Sequence, residues 1–149
     1  MTIELSPIGV IKNPFRDRIP KGWETVEARI VVNDEWADAL HGVEEFSHLI
    51  VLFWLDRIPR DSILMRLHPQ GCEELPLVGL FATRTPCRPN PIGMQVVEVL
   101  NRSANVLTVR HIDALNDSPV LDIKPYLPRG DCVRGAVTPQ WVTQLAKRP

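Results

Sequence analysis

"LVGLFATRTPCRPNPIGMQVVEVL", residues 77–100, sets a stiff polar stretch between two apolar runs. Leu77 to Phe81 and Met94 to Leu100 each carry the apolar content of a short strand, the second alternating in part. Between them stand Pro86, Pro89 and Pro91. Each fixes φ and removes a backbone donor, so neither a helix nor a central strand runs through them. A simple hairpin turn needs only about two to five residues. This connection is therefore a rigid loop that presents Thr83, Arg84, Thr85, Arg88 and Asn90 in set directions.

Working outward, the chain repeats this strand-and-shaped-loop pattern. Leu49 to Leu55 (LIVLFWL) is the longest apolar run, too short to span a bilayer, and reads as a buried strand. Ile8 to Ile11, Val26 to Val32, Val106 to Ile112 and Val120 to Tyr126 are further strands, the last interrupted by Pro125. Asn33 or Asp34 is expected to cap a short helix over EWADALHG. Thr138 at the N-cap and Pro139 at the first helical position open a final helix, TPQWVTQLAK. Residues 56–76 mix charge, proline and short apolar groups and read as an irregular excursion. The sum is a mainly β chain of six or more short strands with two minor helices, for which a single small β-barrel over 1–149 is the natural solution.

Composition agrees. Fourteen prolines in 149 residues is nearly double the average usage of about 5% and favours shaped loops over a helical bundle. The net charge of −1 gives no overall basic field, so charge does not announce a nucleic-acid binder. Thirteen of the seventeen basic residues are arginine, whose planar fork suits phosphates and carboxylates; a GC-rich genome would give the same bias. Cys72, Cys87 and Cys132 are odd in number and form no Cys-x-x-Cys pair, so neither a disulfide framework nor a zinc ribbon is indicated. The N-terminal MTIELSPIG has no apolar signal core. A reduced cytoplasmic setting with no membrane partner is expected.

Familiar catalytic signatures are missing: there is no Gly-x-Gly-x-x-Gly, P-loop, Gly-x-Ser-x-Gly or His-Glu-x-x-His. His68 and Cys72 lack a third metal ligand at a defined spacing. Three polar stretches at strand ends stand out instead. They are the loop 81–93, Asp113 to Pro119 (DALNDSP), and Leu121 to Pro128 (LDIKPYLP), where Asp122 and Lys124 share a strand face. Singly, each has a plain reading as a stiff loop, an Asx turn and a surface ion pair.

Together, and in this order, Gly79-Leu-Phe-Ala-Thr-Arg-Thr-Pro-Cys-Arg-Pro-Asn-Pro-Ile-Gly93, Asp113 to Pro119 and Leu121 to Pro128 resemble the signature of the TrmO family. Gly42-Val-Glu-Glu-Phe-Ser-His48 and Ile8-Gly-Val-Ile-Lys-Asn-Pro14 resemble that family's earlier segments, so the likeness runs from about residue 6 to residue 130. One departure is mild: the family's usual serine after Ala-Thr-Arg is Thr85 here. The resemblance implies a YaeB-like (TsaA-like) β-barrel that binds S-adenosylmethionine in a pocket completed by a homodimer partner. It also implies methylation of N6 of the threonylcarbamoylated adenosine beside the tRNA anticodon. Carried over by motif, cofactor contacts fall on Pro20, Lys21, Gly22 and Trp23, on Leu55 and Asp56, on Arg84, and on Ile112, Asp113, Ala114 and Leu115. Arg88, Asn90 and Tyr126 are candidates for holding the acceptor.

The implied chemistry is consistent with this residue set. Displacement at a sulfonium methyl gains most from positioning and needs no metal. Asp56 and Asp113 are the carboxylates available to a sulfonium. An acidified N6–H benefits from a base, and His48, Asp122 and Lys124 stand open as alternatives. Longer bacterial members carry a C-terminal tRNA-contacting domain, which is expected to be absent from this chain. That leaves two other readings open: a methyltransferase for another RNA or small molecule, and a non-catalytic S-adenosylmethionine-binding regulatory module. Neither DNA nor a metal enters any of them.

Overall fold

The computed structural model describes residues 1–147 except 60 and 62. Six strands close into an antiparallel barrel in the order β1-β2-β7-β6-β3-β8. They are β1 (Gly9–Lys12), β2 (Ala28–Val32), β3 (His48–Trp54), β6 (Ile92–Ser103), β7 (Val106–Arg110) and β8 (Pro119–Pro125). A separate two-stranded sheet pairs β4 (Arg66–Leu67) with β5 (Val78–Gly79). Two short helices follow, α1 (Pro128–Asp131) and α2 (Gln140–Ala146). The mainly β barrel expected from the sequence is therefore present.

The period-two pattern explains which way each strand faces. Ile11, Ile30, Leu49, Val51, Val97, Leu107, Val109 and Val120 are fully buried and fill the barrel. Burying each such side chain contributes about 1.5–3 kcal/mol. β3 shows how an unbroken apolar run still alternates. Leu49, Val51 and Phe53 point inward, whereas Ile50, Leu52 and Trp54 lie half-buried on the outer wall. On the neighbouring strand they face Val96, Met94 and Ile92 in register. The seven-residue run is thus buried on one face rather than two.

Two close approaches depend on glycine. A Cβ on Gly9 would stand 2.4 Å from the Val31 carbonyl oxygen, so any side chain there would force β1 from β2. At Gly93 it would fall 2.3 Å from the ring of Phe53, its register partner on β3. Closure also uses two irregularities. The β3–β8 register shifts between Leu52 and Phe53, and the β6–β7 register between Val99 and Asn101. Such bulges bend and twist a strand, as a small barrel requires.

The chain forms two compact units. One is the barrel, Met1–Arg57 with Ile92–Tyr126; the other is Ile58–Pro91 with Leu127–Pro149. The second contains β4, β5, α1, α2 and the proline-rich loop, with Leu75 and Leu80 buried.

Several local expectations need correction. Of Leu77 to Phe81 only Val78–Gly79 pairs as strand, and Leu80–Ala82 winds into a 3₁₀ turn. Asp34–Leu40 is 3₁₀ rather than α, and Asn33 does not cap it. The Asn33 amide instead donates to the Pro7 carbonyl at 3.2 Å. α2 starts at Gln140 with Pro139 as its flanking residue and no side-chain cap, so Thr138 is one step too early.

Candidate functional site

Alternation of strand direction sorts the connections onto two ends of the barrel. The segments following β1, β3 and β7 leave from the same end. That end carries 20–23, 55–56 and 112–115, three of the four stretches to which cofactor contacts were assigned.

The β7–β8 connection is the most constrained of them. His111 and Asp117 both adopt left-handed backbone, at φ 64° and 67°, and bracket Ile112 to Asn116. For non-glycine residues that conformation is sparsely populated and is retained only where the surroundings enforce it. Ile112 and Ala114 are buried in the core, which turns Asp113 outward between them. Asn116, also buried, ties the segment down. Its Oδ1 accepts the Asn13 N–H at 3.0 Å and its Nδ2 donates to Asp117 at 2.7 Å. Asp117 in turn pairs with Lys12, whose hydrogen bond holds that carboxyl below the ordinary aspartate value. Removing one partner from such a network leaves a buried polar group unsatisfied, at about 1–3 kcal/mol.

Arg57 joins the end of β3 to the same segment. Its guanidinium donates to the Asn116 carbonyl at 2.7 Å and to the Arg16 carbonyl. Leu55, two residues earlier, packs against the core, and Asp56 is exposed. The 20–23 loop reaches this region too. Pro20, Lys21 and Gly22 are exposed, Gly22 turns the chain at φ 81°, and half-buried Trp23 begins a 3₁₀ turn. The next residue, Glu24, is close enough to act on Asp113. Desolvation raises the Asp113 carboxyl above its ordinary value, and the Glu24 charge adds to the rise. A carboxylate pushed up by desolvation and a like charge is a common mark of a functional position.

In the second unit the proline-rich loop is stiffened by more than its prolines. The Thr83 hydroxyl donates to the Leu80 carbonyl at 2.8 Å. Arg88 lies over the Phe81 ring at 5.8 Å and donates to the carbonyls of Thr83 and Thr85. Its guanidinium shapes the loop, whereas Arg84 and Asn90 are exposed.

The candidate bases lie elsewhere on the barrel. His48 opens β3 and meets Tyr126 edge-on at 6.4 Å, with its Nδ1 2.9 Å from the Ser47 hydroxyl. Six residue steps along β3 lead from His48 to Trp54, so this pair stands roughly 20 Å from the end bearing 55–56 and 112–115. Asp122 and Lys124 form an exposed ion pair at 2.6 Å on the outer wall, worth about 0–1 kcal/mol.

Sequence reading did not single out Glu24, Arg57 or Asn116. Asn116 lay within a stretch marked as an Asx turn, but no sequence signal marked its burial or Arg57's reach. Among the described residues no group of three or more His, Cys, Asp or Glu is placed to hold a metal, and none of the three cysteines is in a disulfide. Nor is any helix of the described residues long and apolar enough to cross a membrane.

A closed six-stranded barrel defines the fold class, and known proteins share that fold. The tRNA-methyltransferase O N-terminal domain family matches residues 11–132, and the chain belongs to that family. It is 47% identical to the S-adenosyl-L-methionine-binding protein of Archaeoglobus fulgidus, over 87% of this chain and 93% of that one. It is 33% identical to the tRNA (adenine(37)-N6)-methyltransferase of Escherichia coli, over 85% of this chain and 59% of that enzyme. A crystal structure of TrmO from Pseudomonas aeruginosa superposes with a TM-score of 0.75 at 33% identity, over 95% of this chain and 62% of that one. The chain therefore spans nearly the whole archaeal relative and about three-fifths of the two bacterial ones.

Proposed function

We propose that this chain binds S-adenosylmethionine and transfers its methyl group to N6 of threonylcarbamoyladenosine at position 37 of tRNA, acting as a cytoplasmic homodimer. The observation that carries the reading is the gathering of 20–23, 55–56 and 112–115 at one end of a barrel belonging to this family. The residues there fit a sulfonium compound: Asp113 presents an exposed carboxyl that partial desolvation and the Glu24 charge raise above its ordinary value. Bound there, S-adenosylmethionine supplies an electrophilic methyl group, with no metal involved. Asp113 offsets the positive charge of the sulfonium, as an opposite charge a few ångströms away does. Leu55 and Trp23 contribute apolar surface. The motif likeness alone assigns exposed Arg84, in the second unit, to the donor, its fork suiting a carboxylate, and within that unit Arg88 holds the loop that carries it.

The homodimer is supported by the outer wall of the barrel. Met94 and Ile92 are 51% and 39% exposed beside half-buried Ile50, Leu52 and Trp54. A partner subunit would also bring a second copy of the His48–Tyr126 end into play, which a single barrel holds far from Asp113. A second reading, a module that binds the donor without turnover, is favoured by the name and near-complete overlap of the archaeal relative.

Mass spectrometry of tRNA nucleosides from cells with and without the gene separates the readings. Loss of the methylated threonylcarbamoyl nucleoside is expected on deletion, and an unchanged level rejects the proposed reaction. Arg84→Ala is expected to weaken donor binding by about tenfold to a hundredfold, the worth of a charge-assisted hydrogen bond. Calorimetry showing unchanged binding would remove Arg84 from the site.

A further inference from the structure

A groove of about 740 Å³ lies along the outer wall of the barrel, where β1, β2 and β7 meet the connections after β1 and β7. Its charged lining is Lys12, Arg16, Glu27, Arg29 and Asp117. Both carboxylates are already engaged, Asp117 by Lys12 and Glu27 by Arg110 at 3.0 Å. Arg16 and Arg29 are exposed, and among the described residues neither guanidinium makes a hydrogen bond or ion pair, although Asp117 feels the Arg16 charge at longer range. Arg29 sits directly across the ladder from Lys12. Like charges in that position are destabilising, and an anion between them would reverse the sign. The floor continues through Thr108, the register partner of Arg29, which adds a hydroxyl donor.

The walls are preorganised. Arg57 donates to the backbone carbonyls of Arg16 and Asn116, and Asn116 accepts from Asn13, so the groove does not have to be built around its ligand. It holds far more space than one phosphate group fills, and its cations come from β1, β2 and the connection after β1. The lining reaches Asn116, the residue after Leu115 of the segment assigned to the methyl donor.

We propose that this groove holds the sugar–phosphate backbone of an RNA through Arg16 and Arg29, without reading its sequence. The proposal rests on the methyltransferase reading only for which RNA fills it in the cell. Because the recognition is of phosphodiesters, a labelled oligouridylate probes the groove independently of methyl transfer. Wild-type chain, Arg16→Gln and Arg29→Gln are titrated with it across a salt series, and the same proteins are assayed for tRNA methylation. Each substitution is expected to weaken oligouridylate binding by about three- to tenfold at low salt and to lower the log–log salt slope by about 0.7. In the tRNA assay KM rises and kcat holds. Wild-type binding and slope in both variants, or no oligouridylate binding by the wild type, would overturn the groove even if tRNA is methylated. Lowered slopes with no methylation of any tRNA would leave the groove standing and remove the methyltransferase reading.

Discussion

Gly93→Ala is expected to lower the urea midpoint sharply, by the equivalent of about 1–3 kcal/mol, the usual cost of overpacking a tight core. An added Cβ would lie 2.3, 2.5 and 2.9 Å from three ring carbons of Phe53. Phe53 is 2% exposed and sits among the inward residues of β3, so its ring has no room to retreat. Both residues belong to one register pair, and the ring covers the glycine. Gly93→Val should cost more, because its two further methyl groups enter the same space. The double change Gly93→Ala with Phe53→Leu supplies the control. If the collision is the cause, the smaller side chain recovers part of the loss and the two effects are not additive. Full additivity would place the cost in the backbone instead.

Binding of the methyl donor should depend on pH in a way that binding of its demethylated product does not. Asp113 takes up a proton more readily than an ordinary aspartate because desolvation, reinforced by Glu24, disfavours its charge. A bound sulfonium favours the ionised form, so binding expels a proton from the fraction of molecules that carry one. Donor affinity therefore falls as pH drops through the raised Asp113 value, whereas the thioether product carries no sulfonium charge and responds little. Asp113→Asn is expected to weaken donor binding by about tenfold to a hundredfold and to leave product binding within about threefold. Calorimetry with both compounds from about pH 8 down to about pH 3 spans the ordinary aspartate value and the range above it. Equal losses for donor and product would show that Asp113 shapes the pocket without answering the charge.

The same carboxyl makes a linked statement about stability. A folded-state value above the unfolded one contributes stability that is complete below the unfolded value and is lost as pH rises through the folded one. Above the folded-state value ionised Asp113 therefore opposes folding, and there Asp113→Asn should leave the melting temperature equal or slightly higher.

How much of this could be read from the sequence depends on the range of the forces involved. Alternation in VLTVR and the proline spacing of 81–93 are local, and they were enough to imply short strands around stiff loops. The motif order was enough to bring out the family. What stayed hidden was non-local. Nothing in LIVLFWL says that Ile50, Leu52 and Trp54 remain on an outer wall, because the pattern is apolar throughout and only closure selects a face. The register shifts beside Leu100 and Leu121 follow from twist accumulated around the whole barrel. His48 and Asp113 both looked like site residues, yet strand direction places them at opposite ends. Arg57 reaches Asn116 across 59 positions, a distance at which no local pattern carries information.

The barrel closes where β1 meets β8, and that ladder holds only two register pairs, Gly9 with Val120 and Val10 with Pro119. Pro119 has no amide hydrogen to lend it. This short seam, helped by Ile8 and Ile11 donating to Val120 and Ser118, is where the cylinder would unzip first under thermal motion. Its amides should exchange with solvent well before those buried in the β3–β6 ladder. Because Asn116 and Asp117 lie just upstream of the seam, breathing there would loosen the Asp113 segment while most of the barrel stayed shut.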